Sequence, residues 1–233
     1  MTSTYFLFSK NANRGADDNA ENQIVYLNPG IRHVFFLPES DVDYHWQKGL
    51  FECQLIEWAK QFCVGGKTFL DIGARTGTYA ISLSKHCGDV VAFEPEKSTY
   101  YALCGSVAAS GLSDKITCYQ CALGNEDQVK GRTLSDSPDE GSEVDFRSEN
   151  GKCIRTLDSF HFKNVGFIKM GVANNGHHVL RGALNTLYLS NYPTILFESS
   201  VANPELFGIL REALKYKIVN VGGVNNMYLA CKE

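Results

Sequence analysis

No apolar run in this chain of 233 residues approaches the twenty or so positions that a membrane-crossing helix needs. Nor is charge of either sign in excess, since 22 Lys and Arg face 26 Asp and Glu for a formal net charge of -4. A polyanion therefore meets no general attraction, which argues against nucleic acid or an acidic membrane surface as a partner. The opening residues, MTSTYFLFSKNANRG, lack the apolar core and small-residue cleavage site of a secretory leader, so a soluble cytoplasmic protein is expected. The one CxxC, Cys118 to Cys121, has no second pair to complete a tetrahedral zinc site. It lies within the apolar alternating run ITCYQCALG, and the other six cysteines are scattered through stretches of helix or strand character. They read as small buried hydrophobes, and no metal site is expected.

With 44% hydrophobic and 21% charged positions, the chain suits one globular domain able to bury a sizeable core. Its organising stretch is Thr68 to Glu96, TFLDIGARTGTYAISLSKHCGDVVAFEPE. An apolar run ends in Asp71, a turn holds Gly73 and Gly77, a helical pattern carries Tyr79, Ala80 and Leu83, and a second apolar run ends in Glu94 and Pro95. Strand, glycine turn, helix and strand make a nucleotide-binding half. A dinucleotide site needs G-x-G-x-x-G, whose middle glycine admits the pyrophosphate, but here that place is Arg75 and the third is Thr78. Gly73-x-x-x-Gly77, with an acidic residue closing the next strand, suits a ligand with a ribose and no phosphates. S-adenosylmethionine is the common one. Asp71 and the turn amides would hold its amino-acid end, and Glu94 would accept hydrogen bonds from both ribose hydroxyls. Taken alone, the two glycines fit simple strand-to-helix packing equally well.

Residues 1–45 read as an N-terminal cap or hairpin, in which IVYL and HVFFL flank the turn signal Asn28-Pro29-Gly30. Residues 46–233 form the main domain. A helix is expected from Trp46 to Phe62, ended by Gly65-Gly66, and another from Pro95 to Gly111. Strands follow at Ile116 to Leu123, Cys153 to Leu157 and Asn164 to Met170. The polar segment Glu126 to Asn150 reads as an exposed loop, either a substrate lid or plain solvated surface. A helix through Val179 to Tyr188, a strand Thr194 to Glu198, a helix Pro204 to Leu214 and a closing hairpin, Lys217 to Val221 with Met227 to Cys231, complete the order. The expected architecture is α/β: a mostly parallel sheet of about seven strands covered on both faces, with a C-terminal antiparallel hairpin, in the outline of a class I methyltransferase. Ligands in such sheets sit at the carboxyl ends of the strands, where Asp71, Glu94, Ala122, Gly171 and Glu198 fall.

Several segments together resemble the FkbM family of S-adenosylmethionine-dependent methyltransferases. FLDIGARTGTYA resembles its first motif, Asp-Val-Gly-Ala-Asn-x-Gly; VVAFEPE resembles Ala-Phe-Glu-Pro; and CALGNED resembles Ala-Leu-Gly-Asp. IRTLDSF, VLRGA and TILFE match the family's Thr-Leu-Asp, Val-Leu-Arg-Gly-Ala and Ile-Leu-Phe-Glu in order. The likeness covers about residues 50 to 200. The expected cofactor residues are Asp71, Gly73, Ala74, Arg75, Thr76, Gly77, Thr78, Glu94, Pro95, Cys121, Ala122 and Met170, with Glu52 placed by the resemblance near the methionine amino group. After the fourth strand the family reads Lys-Ile-Asp-Val-Glu-Gly-Ala-Glu, whereas this chain reads Lys169-Met170-Gly171-Val172-Ala173-Asn174-Asn175-Gly176. Three carboxylates are missing, and any metal or base role they serve elsewhere does not carry over.

Methyl transfer is an in-line displacement at an activated sulfonium, so alignment and exclusion of water are the main demands. A hydroxyl acceptor also benefits from a base. The candidate catalytic residues are His177 and His178 at the start of the helix after the fourth strand, Glu198 at the end of the next strand, and Lys169. Each also has an ordinary structural role open to it: first-turn solvation, a turn cap, a snorkelling stem. The resemblance implies a hydroxyl of a sugar, glycan chain or polyketide as acceptor, with a glycosyltransferase as a conceivable partner. Two other readings stay open at this point: a cofactor-binding partner or regulatory subunit without catalysis, and an N-methyltransferase, which needs no base.

Overall fold

The computed structural model describes residues 4–8, 22–28, 31–37, 50–127, 153–199 and 203–232. Three strands, β1 (Thr4–Phe8), β2 (Asn22–Asn28) and β3 (Ile31–Leu37), pair antiparallel in that order. β2 and β3 form the hairpin that IVYL and HVFFL announce, in register from Asn28↔Ile31 to Asn22↔Leu37. β1 is not among the expected strands.

The main domain runs α1 (Cys53–Ala59), β4 (Thr68–Ile72), α2 (Thr78–Leu83), β5 (Val90–Phe93), α3 (Lys97–Ala109), β6 (Ile116–Tyr119), β7 (Ala122–Leu123), β8 (Ile154–Arg155), β9 (Val165–Met170), α4 (Gly176–Arg181), α5 (Leu184–Leu189), β10 (Thr194–Glu198), α6 (Pro204–Gly208), β11 (Lys217–Asn220) and β12 (Met227–Cys231). Seven strands form one sheet in the order β11-β12-β10-β9-β4-β5-β6. Its pairs are parallel except at β12, which runs antiparallel to both β10 and β11. This is the mostly parallel sheet with a closing antiparallel hairpin that the alternation of strands and helices leads one to expect.

Period-two alternation divides the sheet's side chains between two cores. On one face Phe69, Ala92, Phe167 and Leu196 pack under α1, α2 and α3, with Leu55, Ile56, Ile81 and Leu103. On the other, Leu70, Ile72, Ile168, Met170, Ile195 and Phe197 pack under α4, α5 and α6, with Val179, Leu180, Leu187 and Leu206. Each fully buried Phe or Leu contributes about 1.5–3 kcal/mol. Phe69, Phe167 and Phe62 stack in a row at ring separations of 5.3 and 5.9 Å, which ties β4 and β9 to the turn after α1.

Four elements differ from expectation. The strand expected at Ile116 to Leu123 breaks at Gln120 and Cys121: β6 joins the main sheet, while β7 pairs with β8 in a separate two-stranded ladder. The helix expected through Val179 to Tyr188 breaks at Gly182 and Ala183. There the chain passes so close to Gly124 that a Cβ on Gly182 would overlap the Gly124 carbonyl oxygen. The Asp158 carboxylate then accepts from the N–H groups of Asn185 (3.0 Å) and Thr186 (2.7 Å), restarting the helix as α5. The helix from Pro204 is α-helical only to Gly208 and continues as π-helical turns over Ile209–Ala213. The helix expected from Trp46 begins only at Cys53, since Leu50 to Glu52 form a bend and turn with Glu52 in the left-handed region; residues 46–49 and most of the loop read at 126–150 lie outside the described residues.

Candidate active site

β4 ends in a turn that only particular residues can make. Gly73, Arg75 and Gly77 have φ of 74°, 51° and 92°, all in the left-handed region. A side chain on Gly73 would overlap the Gly171 carbonyl oxygen, so here β4 and β9 approach backbone to backbone. Gly73 N and Ala74 N both donate to the Phe93 carbonyl, at 2.9 and 3.0 Å, bringing the turn over the end of β5. Ala74 and Thr76 are buried, Arg75 is exposed and Thr78 opens α2. The Glu94 carboxylate faces this turn from the end of β5. One oxygen accepts from Arg75 N (2.9 Å) and the other from Glu96 N (3.0 Å), so the group is fixed by backbone while each oxygen keeps capacity for a further donor.

A second set of residues follows from strand register. Asp71 and Lys169 are direct partners across β4 and β9, Leu196 partners Lys169 on β10, and Glu198 stands two residues further along on the same face. Asp71 is fully buried: one oxygen accepts from Ala80 N (2.9 Å), while the other has no hydrogen-bond partner among the described residues and lies 3.9 Å from Lys169 Nζ. Burial pushes the Asp71 carboxyl above the usual carboxylate range, opposed first by Lys169 and then by the Ala80 N–H. Lys169 Nζ donates to the Gly73 carbonyl (3.3 Å) and sits 5.0 Å from the Tyr79 ring centroid. The Tyr79 hydroxyl donates to Glu52 (2.6 Å), whose own φ of 54° places it in the left-handed region before α1. Burial, then the Glu52 carboxylate, raise the Tyr79 pKa, and Glu198 acts in the same direction, which places its exposed carboxylate within electrostatic reach of this group.

The remaining candidates divide between two cavities and the core. A cavity of about 450 Å³ is lined by Pro95, Glu96, Ala122, Asn175 and His178, among others. His178 lines this cavity, and its Nδ1, like that of His177, is buried with no hydrogen-bond partner among the described residues. His177 is directed elsewhere, its Nε2 3.5 Å from Glu205 on α6, which also pairs with Arg181. Cys121 lines a different cavity, of about 590 Å³, together with Tyr100, Tyr101, Tyr119, Arg155 and Phe160. Burial pushes the Cys121 thiol up to about 12. Met170 is buried at the end of β9 beside Gly176. Tyr79 and Asn175 were not singled out from the sequence; Tyr79 reads there as one more apolar position of an amphipathic helix, and only its neighbours reveal its hydroxyl's partner. Among the described residues no cluster of three or more His, Cys, Asp or Glu side chains has metal-binding geometry.

The residues fit a phosphate-free nucleoside carrying an amino-acid tail. Glu94 is a fixed acceptor of hydroxyl donors, Asp71 has an open buried oxygen, and the cavity beyond Pro95 falls within the roughly 300–1,000 Å³ usual for small-ligand sites. Arg75 stands where a pyrophosphate would need bare backbone.

Among solved structures, the fold resembles that of Pyrococcus horikoshii TYW2 in complex with MeSAdo, with TM-score 0.50 and 13% identity over 91% of this chain and 70% of that one. It also resembles a candidate rRNA methylase from Clostridium thermocellum (0.50, 12%, 76% of this chain and 91% of that one). A candidate SAM-dependent methyltransferase from Streptococcus mutans gives 0.51 and 12%, over 92% of this chain and 56% of that one. At such identities the likeness is one of fold. No curated protein matches the chain by sequence. The model of the methyltransferase FkbM domain matches residues 71–218, from Asp71 in β4 to Ile218 in β11. That match spans well over half of the sequence, includes the glycine turn, Glu94, Lys169 and Glu198, and establishes that the chain belongs to the FkbM methyltransferase domain family.

Proposed function

We propose that this chain transfers a methyl group from S-adenosylmethionine to a hydroxyl, that of a sugar or glycan, with Glu198 as the base. The observation that carries the reading is the arrangement of two carboxylates about one glycine turn: Glu94 fixed by the amides of Arg75 and Glu96, and Asp71 buried beneath with an open oxygen. When bound, the cofactor supplies an already activated methyl group. Glu94 would hold the ribose hydroxyls, Asp71 and Glu52 would face the amino-acid end, and the cavity past Pro95 and Ala122 would take the adenine. His178, which lines that cavity, would pack against the adenine. His178 is therefore assigned to the cofactor and not to proton transfer, and His177, paired with Glu205, to the α4–α6 contact.

Glu198 stands with Asp71 and Lys169 on the face where the amino-acid end lies, and its exposed carboxylate accepts the proton as the acceptor oxygen attacks. An amine in its neutral form would need no such group, so this carboxylate supports a hydroxyl acceptor. The sugar or glycan class rests on the family resemblance. The test is a split between two variants. Glu198→Gln lowers kcat about a hundredfold or more with cofactor affinity little changed, as loss of a general base does, while His178→Ala weakens cofactor binding about tenfold through lost apolar contact. Mass spectrometry over a panel of glycan acceptors reads the transfer. Full turnover by Glu198→Gln, or no transfer to any hydroxyl by the unaltered protein, overturns the proposal.

A further inference from the structure

We propose that Lys169 is a positioning residue: its ammonium grips the Gly73 carbonyl and holds the glycine turn in binding shape, in the space that Gly171 leaves free of a side chain. The inference rests on the cofactor reading for its consequence but on this chain's geometry for its substance.

Three contacts converge on Lys169 Nζ: the Gly73 carbonyl at 3.3 Å, Asp71 at 3.9 Å and the Tyr79 ring at 5.0 Å. The lysine side chain is nearly buried, at 12% exposure, so its head group is held among these partners instead of snorkelling to solvent. Gly73 is also the residue whose two neighbouring amides, its own and that of Ala74, are hung on the Phe93 carbonyl. Lys169 thus holds from β9 the same peptide that β5 holds from the other side.

Gly171 shows what that grip requires. Its φ is not positive, so backbone conformation does not demand glycine there. A Cβ at this position would overlap Lys169 Nζ and crowd its Cε, while the next nearest atom, the Gly73 carbonyl oxygen, would stand at an ordinary 3.6 Å. The obstacle is the end of a flexible side chain and nothing else. Here the lysine head group occupies that space, and the turn is anchored through its backbone carbonyl. Proton transfer is a poor assignment for a group so enclosed, since no path from the exposed Glu198 end is needed to account for any of its contacts.

The test uses Lys169→Met, Gly171→Ala and the two combined. Methionine keeps an apolar stem of similar length without the charge, and alanine displaces the ammonium while meeting other atoms only at ordinary contact distance, so both variants should fold. In the cofactor-free protein, amide hydrogen exchange of residues 73–77 rises about tenfold in each single variant and no further in the double, because both changes remove the same contact. Affinity for S-adenosylmethionine or its demethylated product falls in the same non-additive pattern.

A pH series separates positioning from general loosening. Asp71 is faced by Lys169 on β9, by the Ala80 N–H and Tyr79 on α2, by Cys118 on β6, by Glu94 beyond β5 and by Glu52 before α1. Without the lysine its carboxyl protonates more readily, so the binding defect of Lys169→Met lessens as pH is raised, whereas that of Gly171→Ala, which retains the amine nearby, lessens less. Unchanged exchange at residues 73–77 in both single variants, or additive effects in the double, overturns the inference. Altered exchange in a protein that binds neither cofactor form leaves the positioning role standing and overturns the cofactor reading instead.

Discussion

Glu94 illustrates how a single side chain can be both anchored and available. Its two backbone hydrogen bonds fix the carboxylate, and the lone pairs they leave are those that two ribose hydroxyls would use. Hydrogen bonds to a charged group contribute about 1.5–3 kcal/mol each, so Glu94→Ala weakens cofactor binding by one to two orders of magnitude or more, read by calorimetry. Asp71 makes a different prediction. Its folded pKa is raised, so between the unfolded value of 3.8 and the raised value the folded state binds the proton more tightly. Stability contributed by this group therefore falls as pH rises through that window and stays at its lower level above it. Asp71→Asn removes the buried charge and keeps an acceptor for the Ala80 N–H. Thermal unfolding should show the variant no less stable than the parent at neutral pH, with a flatter acid limb, although cofactor binding is impaired. Glu94, Asp71 and the glycines were legible in the sequence because a nucleotide turn forces a fixed order of residue types. The roles of Tyr79 and His178 were not, because each depends on what a distant element brings beside it.

At the scale of elements, the N-terminal sheet is fastened to the main domain by hydrogen bonds as well as by apolar contact. The N–H groups of Val34 and Phe36 on β3 donate to the hydroxyls of Ser110 and Ser106 at the C-terminal part of α3, both at 2.9 Å, and Phe35 is fully buried. Removing both hydroxyls leaves two strand donors unsatisfied, a cost of about 1–3 kcal/mol each, which a denaturant titration of the Ser106→Ala, Ser110→Ala double variant reads directly. His33 on the same strand adds a pH dependence. Burial, then Lys85 and Lys60, lower its pKa from 6.5 to about 4. The unfolded chain takes up this proton near pH 6.5 and the folded one only near 4, so the stability concerned is present above 6.5 and is lost as pH falls towards 4. His33→Gln flattens the thermal midpoint across that interval. Helix α5 depends on Asp158 in the same way, since the carboxylate caps it from a separate turn; Asp158→Ala costs about 0.5–2 kcal/mol. The break before α5 was invisible to periodicity, because Val179 to Leu187 keeps a helical spacing of apolar residues through it. Only the approach of Gly182 to Gly124 reveals the interruption.

Across the whole molecule, strand alternation carried most of the information. Apolar runs ending in Asp71, Glu94 and Glu198, each followed by a helix, gave the parallel sheet and its functional edge, and β12 between β10 and β11 supplied the one antiparallel strand. The same register that buries Phe69 and Phe167 sets Asp71 beside Lys169, so core and site are two readings of one pattern. What the sequence concealed was the use made of the altered stretch after β9: the missing carboxylates suggested loss, whereas Lys169 occupies the space that Gly171 leaves open. The most direct test of the account is a calorimetric titration of the protein with S-adenosylmethionine, its demethylated product and NAD, repeated with Glu94→Ala. The account predicts saturable one-to-one binding of the first two, no binding of NAD, and loss of affinity in the variant. Binding of NAD, or no heat from either cofactor form at millimolar concentration, would contradict it.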